Sequence, residues 1–182
     1  MDLSKIVQIR LLKKDYKKFP PKDHFKMVYV DKENYSSYTA ELQTVVDLIH
    51  QELTDWPDAP TYDVVLKRFE ANSHCLLFYY NDNPIGWNWG NDNVCFDWIN
   101  NIQDLPEGEL YGGGCFVSRN VDRPANAGLY NYNMIFDYWI YEMGYHTVYG
   151  YVDWWNKPAF RVNFQNGLTV FNYLNEDNFE SK

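Results

Sequence analysis

The sequence predicts an α/β (α+β) protein built on a central mixed, twisted sheet with helices on both faces. Two observations carry this expectation. Early in the chain, the strand-like runs HCLLFYY and IGWNWG flank the turn Asn81-Asp82-Asn83-Pro84, which is hairpin chemistry. Later, a strand-like run, a strongly amphipathic helix and another strand-like run follow one another, the order of a parallel crossover. Hairpins and a crossover in one chain call for strands of both directions in the sheet. At 182 residues the chain can form one domain with a sizeable core.

The elements follow in order. SKIVQIRLL reads as a strand, and KKFPPKD, Lys17 to Asp23, breaks regular structure with its paired prolines. Residues 1–22 are expected to form a basic arm able to add a strand, and residues 23–182 a single domain. FKMVYV, Phe25 to Val30, is a short strand. A helix should run from about Ser37 to Leu53, with Leu42, Val45, Val46, Ile49 and Leu53 on one face and Ser36 or Ser37 as its cap. Thr61 should cap a second helix whose inner face is Tyr62, Val65, Leu66 and Phe69. After the hairpin come strands at Val94 to Ile99 and Glu109 to Val117. Leu129 to Met143 is the clearest helix, with Leu129, Tyr132, Ile135, Phe136, Trp139, Ile140 and Met143 on one face and Gly144 at its end. HTVYGYVDW is a strand. Lys157 to Asn166 should be helical, with Asn156 or Lys157 as cap, Pro158 in the first turn and Gly167 at the stop. LTVFNYL is the last strand.

The net charge of −9 is unevenly spread. Up to Asp23, seven basic residues against three acidic ones give the arm +4, which leaves −13 on the rest. An acidic body argues against nucleic-acid binding and favours cationic or amine partners. Aromatic residues make up 19% of the chain, so an aromatic-lined pocket stands as a reading beside plain core packing. Trp87, Trp89, Trp98, Tyr111 and Trp154 are candidates to line an acceptor site or a dimer face. Cys75, Cys95, Cys115 and the four histidines show no metal-ligand spacing, so no metal is expected. No apolar run reaches the roughly 18 residues of a membrane helix, and no signal peptide opens the chain. A cytoplasmic protein with no membrane partner is expected.

Between the strand ending at Val117 and the strong helix lies SRNVDRPANAG. Asn126 and Gly128 are residue types that readily take positive φ, which lets backbone N–H groups converge on an anion. They precede a helix N-terminus, where the dipole also favours negative charge, and Arg119 and Arg123 add two cations. A phosphate cradle is the physical expectation. The loop is neither a P-loop nor the three-glycine dinucleotide fingerprint.

Downstream, NKPAFRVNFQNGL completes a pattern. Arg123-x-x-Asn126-x-Gly128, followed by Asn156, Ala159, Phe160, Arg161, Val162, Gly167 and Leu168 in ungapped register, resembles the GCN5-related N-acetyltransferase (GNAT) superfamily. The hairpin, with Gly86 at the family's usual glycine, is similar as well. The resemblance implies an acyl-CoA N-acyltransferase fold and acetyl-CoA as cosubstrate. The backbone of Phe116, Val117 and Ser118 would pair with the pantetheine arm. The loop of Arg123, Asn126, Ala127 and Gly128 would hold the pyrophosphate, and a register one residue earlier, Asp122 to Ala127, fits almost as well. Asn156 would approach the pantetheine, and Gly112, Gly113 and Gly114 suit the bulge that parts two strands around the cofactor.

Two departures stand out: Asn126 replaces the loop's first glycine, and Asn163 replaces the tyrosine that often serves as general acid. Tyr149 and Tyr151 are substitute candidates for the acid. For the base, Glu109 and Tyr111 share a face of their strand by period-two alternation. Asp97 and Asp153 are further choices. A backbone N–H near Val117 would serve the oxyanion. The resemblance thus implies direct acetyl transfer to a primary amine of a small molecule or peptide. The alternative is a catalytically impaired module that binds acyl-CoA or a protein partner. Family members often dimerise, which makes a homodimer an expectation by analogy.

Overall fold

The computed structural model describes residues 6–20, 22–54, 59–96, 101–122, 124–153 and 156–174. Along the chain run β1 (Ile6–Leu12), β2 (Phe25–Val30), α1 (Thr39–Glu52), α2 (Tyr62–Glu70), β3 (His74–Tyr80), β4 (Asn83–Asn91), β5 (Asn93–Phe96), β6 (Asn101–Asp104), β7 (Glu109–Val117), α3 (Ala127–Asp137), β8 (Thr147–Asp153), α4 (Lys157–Gln165) and β9 (Thr169–Leu174). Seven strands form a mixed sheet in the order β2-β3-β4-β7-β8-β1-β9, and β5 with β6 forms a separate antiparallel ribbon. Residues divide into two compact units, and β7 and α3 each contribute to both.

The first unit comprises residues 20–91 and 114–135. Here β2 and β3 pair antiparallel from Phe25↔Tyr80 to Val30↔Cys75. The β3–β4 hairpin turns on Asn81 and Asp82, at φ 48° and 61°, both left-handed as a two-residue hairpin with the strands' twist requires. Strand β3 is an uninterrupted apolar run because both of its faces are buried. Cys75, Leu77 and Tyr79 join Trp87 and Trp89 against Leu42, Val45, Val46 and Ile49 of α1 and Val65 and Phe69 of α2. Trp87 and Trp89 are therefore core residues. Close approach is also built into β4: a Cβ on Gly86 would lie 2.1 Å from the Phe116 carbonyl oxygen and 2.9 Å from the Val117 Cα.

The second unit holds the described residues within 6–19, 92–113 and 136–174. The arm's strand, β1, lies between β8 and β9 and is antiparallel to both. Its alternation explains the fit. Val7, Ile9 and Leu11 are buried, as are Val152 and Val148 on β8, the cross-strand partners of Val7 and Leu11, whereas Gln8 and Arg10 point to the other face.

Several local expectations need correction. The α1 helix opens on a 3-10 turn, Tyr35–Tyr38, which absorbs Ser36 and Ser37, so neither caps it. Asp31 instead closes the preceding loop by accepting from the N–H groups of Glu33 and Asn34. Thr61 stands at the cap position of α2 without a side-chain cap bond. Regular α-helix ends at Asp137, and Tyr138–Glu142 is π-helical. The wider turn rotates the apolar face, so Trp139 and Ile140 stay buried while Met143 is exposed. Asn131 and Asn133 of α3 are buried as well. The strand expected at Val94 to Ile99 is β5, Asn93–Phe96; its last three residues lie outside the described residues.

Gly86→Ala should cost about 1–3 kcal/mol of stability, the usual penalty for forcing extra volume into a closed contact. Urea unfolding of the variant would measure it, and an unchanged midpoint would mean that the strands part freely at this point.

Candidate functional site

Strand β7 changes its hydrogen-bond partners along its length. Glu109, Leu110 and Tyr111 pair in parallel with Thr147, Val148 and Tyr149 of β8. Gly114 then takes φ 56°, a value that side chains rarely adopt. A Cβ there would lie 3.0 Å from an Arg68 guanidinium nitrogen and 3.2 Å from the Trp89 ring, over which Arg68 stacks. At its end the strand bonds to β4, with the Ser118 N–H donating to the Ile85 carbonyl at 2.7 Å. Successive strand residues direct their N–H groups to opposite sides, so the Val117 N–H points away from β4.

The exit from β7 is held by a residue that sequence reasoning missed. The Glu52 carboxylate accepts from the Ser118 hydroxyl, from the Arg119 N–H at 2.8 and 3.0 Å, and from the Asn120 N–H at 3.1 Å. The loop then reaches α3 without the left-handed residues expected of it: neither Asn126 nor Gly128 has positive φ. The Ala127 N–H donates to the Pro124 carbonyl at 3.0 Å and closes a turn. The Asn126 carbonyl accepts from the Tyr130 N–H at 3.2 Å as the helix begins, so the helix grows directly from the turn.

What remains is an open helix N-terminus. The first-turn N–H groups of Gly128 and Leu129 have no acceptor within the helix. A Cβ on Gly128 would meet nothing within 4 Å among the described residues, so their packing does not require the glycine. Backbone donors at the positive end of a helix dipole fit a phosphate.

In the other unit, the sequence-predicted catalytic candidates gather on one face. Glu109 and Tyr111 of β7 share it with Tyr149 and Tyr151 of β8 and with Gln8 and Arg10 of β1. The Tyr149 hydroxyl is hydrogen-bonded to the Glu109 carboxylate and the Arg10 guanidinium. Burial, and after it Glu109, pushes the Tyr149 pKa above the ordinary value. The Tyr111 and Tyr151 rings lie 5.0 Å apart, and Gln8 Nε2 donates to the Tyr151 hydroxyl at 3.0 Å. Burial also raises the pKa of Tyr151, so both tyrosines stay protonated at neutral pH. Asp153 ends the same strand, half-buried, and burial raises its carboxyl pKa.

Asn156 caps α4: its Oδ1 accepts from the Ala159 N–H at 3.2 Å, and its own N–H donates to the Asp153 carbonyl at 2.8 Å. Asn163 is buried and donates from Nδ2 to the Ala159 carbonyl at 2.8 Å, so its side chain is committed to its own helix. Burial pushes the Cys115 thiol up to about 12, against a smaller opposing effect of its hydrogen bond with Tyr132. It stays a thiol at neutral pH and is not an activated nucleophile. Asp97, Arg123, Trp98 and Trp154 lie outside the described residues. Among the described residues, no group of three or more His, Cys, Asp or Glu side chains could hold a metal ion. No helix among them is long and apolar enough to cross a membrane.

No protein-family model and no curated protein matches the chain. Solved structures do. A tandem GNAT protein from the clavulanic acid biosynthesis pathway superposes with TM-score 0.57 at 11% identity, covering 91% of this chain and 50% of that one. A GCN5-related N-acetyltransferase from Kribbella flavida gives 0.55 at 12%, covering 93% and 56%. The yncA protein of Salmonella typhimurium, solved with its cofactor acetyl-CoA, gives 0.54 at 16%, covering 82% of each chain. The chain spans about half the length of the first two. Identities this low establish the architecture: the chain has the GCN5-related N-acetyltransferase fold.

Asp153 yields a pH-dependent expectation. Its pKa is raised on folding, so the ionised form costs stability above that pKa, and the cost disappears as pH falls through it. Asp153→Asn should therefore stabilise the protein at pH 7.5 and lose that advantage by about pH 3.5, below the ordinary carboxylate value. Urea midpoints at the two pH values test this; an equal gain at both would remove the charge from the explanation.

Proposed function

We propose that the chain is an acetyl-CoA-dependent N-acetyltransferase that transfers the acetyl group directly to a primary amine of a small molecule or peptide. The observation that carries this reading is the exit of β7. A strand end with its Val117 N–H directed away from β4 is followed, after a loop, by an open, glycine-bearing helix N-terminus. Phe116, Val117 and Ser118 would run beside the pantetheine arm. Gly128 and the loop carrying Arg123, Asn126 and Ala127 would receive the pyrophosphate. Asn156 offers its Nδ2, which has no partner among the described residues, because only its Oδ1 serves the helix cap. The structural neighbour solved with acetyl-CoA supports the choice of cosubstrate.

Acetyl-CoA, when bound, supplies the activated thioester. The Val117 N–H would stabilise the oxyanion that forms on attack. An alkylamine is protonated at neutral pH, so a base must first take a proton from it. Glu109 is our first choice, acting through water because Tyr149 already occupies part of its carboxylate. Tyr111 lies beside it on the same face, and Asp97 is the alternative base. Tyr149 or Tyr151, both held protonated, would return a proton to the departing thiolate.

One observation favours a second reading, a catalytically impaired module that binds acyl-CoA or a protein partner. Asn163 stands where the resemblance puts an acid, and its amide is bound to Ala159.

Acetyl-CoA at 100 times its dissociation constant should add about 2.7 kcal/mol of stability, read as a rise in Tm. Gly128→Leu should fold normally and abolish the rise by filling the open space. No rise for the native protein at millimolar acetyl-CoA would sink the cosubstrate assignment. Thiol release with a panel of amines then separates enzyme from module.

A further inference from the structure

We propose that Glu52 is a positioning residue for acyl-CoA, its carboxylate clamping the three residues at which β7 becomes the cofactor loop. The inference rests on the acyl-CoA reading above. Glu52 is the last residue of α1, where the helix dipole opposes a negative charge, so α1 gains nothing from it. The charge is answered elsewhere in the chain. The Ser118 hydroxyl and the N–H groups of Arg119 and Asn120, 66 to 68 positions away, all donate to this one carboxylate. Two successive backbone N–H groups aimed at one point make an anion-binding concavity, and here the chain supplies the anion itself.

The position of the clamp gives it a consequence. Ser118 is fully buried and its own N–H ties the end of β7 to Ile85, whereas Arg119 and Asn120 are exposed. Little packing fixes those two residues, so their bonds to Glu52 set the direction in which the chain leaves the strand. Val117, immediately before, carries the N–H assigned to the cofactor, and the loop after Asn120 carries the phosphate donors. One carboxylate therefore fixes the strand end on one side and the loop entry on the other. Its charge would by itself repel a phosphate, so Glu52 assists binding by ordering donors and not by electrostatics. Glutamine keeps an acceptor oxygen without the charge and should preserve much of the effect, whereas alanine should not.

The test is calorimetric titration of acetyl-CoA into native protein, Glu52→Gln, Glu52→Ala and Ser118→Ala, with the unfolding midpoint and amide hydrogen exchange of each free protein. Glu52→Ala should weaken binding about tenfold, the loss expected with one charge-assisted hydrogen bond. Glu52→Gln should restore most of that affinity, and Ser118→Ala should fall between. The Arg119 amide should be protected in the native protein and exchange freely in Glu52→Ala, whereas the Asn120 amide, which also donates to the Ser118 hydroxyl at 3.2 Å, should lose only part of its protection. If Glu52→Ala does not fold, Glu52→Gln and Ser118→Ala still decide. Unchanged affinity in a folded variant that has lost amide protection would overturn the positioning role. Tighter binding would overturn it too, and would make Glu52 a competing anion. If the native protein binds no acetyl-CoA while the two amides are protected, it is the acyl-CoA reading that fails.

Discussion

Strand β7 has neighbours that make different demands along its length. Its first residues keep parallel register with β8, and its last are drawn to β4, where Gly86 admits the Phe116 carbonyl at a distance that no side chain would allow. The change falls at the glycine triplet, where Gly114 adopts a left-handed φ under Arg68 and Trp89. A strand that has turned its bonds to one neighbour leaves alternate N–H groups facing the other way. Backbone donors of this kind need an acceptor, and an extended ligand arm provides one as another strand would. The proposed cofactor site would thus rest on backbone hydrogen bonding, with few side chains required.

The second unit expresses the same economy in its side chains. One face of β1, β7 and β8 is apolar, with Val7, Ile9, Leu11, Leu110 and Val148 buried. The opposite face carries Arg10, Glu109, Tyr111, Tyr149 and Tyr151 in hydrogen-bonded and ring contact. Burial shifts Tyr149, Tyr151 and Asp153 towards their neutral forms. Such an arrangement costs stability, and departures from a purely apolar interior of this kind tend to gather where chemistry is done. The arm's strand adds Gln8 and Arg10 to this face, so the N-terminal segment is built into the unit that holds the catalytic candidates.

Much of this was legible from residue order. The hairpin, β7 and the helix after Asn156 fall where their turn residues and caps put them, because Asn81-Asp82, Asn156, Pro158 and Gly167 act through local geometry alone. What periodicity missed depends on distant packing. The π-helical turn after Asp137 rotates the face of α3, and the burial of Trp87 and Trp89 follows from α1 and α2 lying over them. The loop before α3 was expected to use left-handed residues, yet it closes a turn on Pro124 without them. Glu52 left one trace in the sequence, an acidic residue at the end of a helix where the dipole disfavours it. Nothing local could say that its partners lie at Ser118 to Asn120.

The most direct measurement is a backbone amide spectrum recorded during titration with acetyl-CoA. If β7 and α3 form the cofactor site, the largest shifts should fall on Cys115, Val117, Gly128 and Leu129, while the β2–β3 pair stays unmoved. Saturable shifts that spare β7 and the first turn of α3 would contradict this placement.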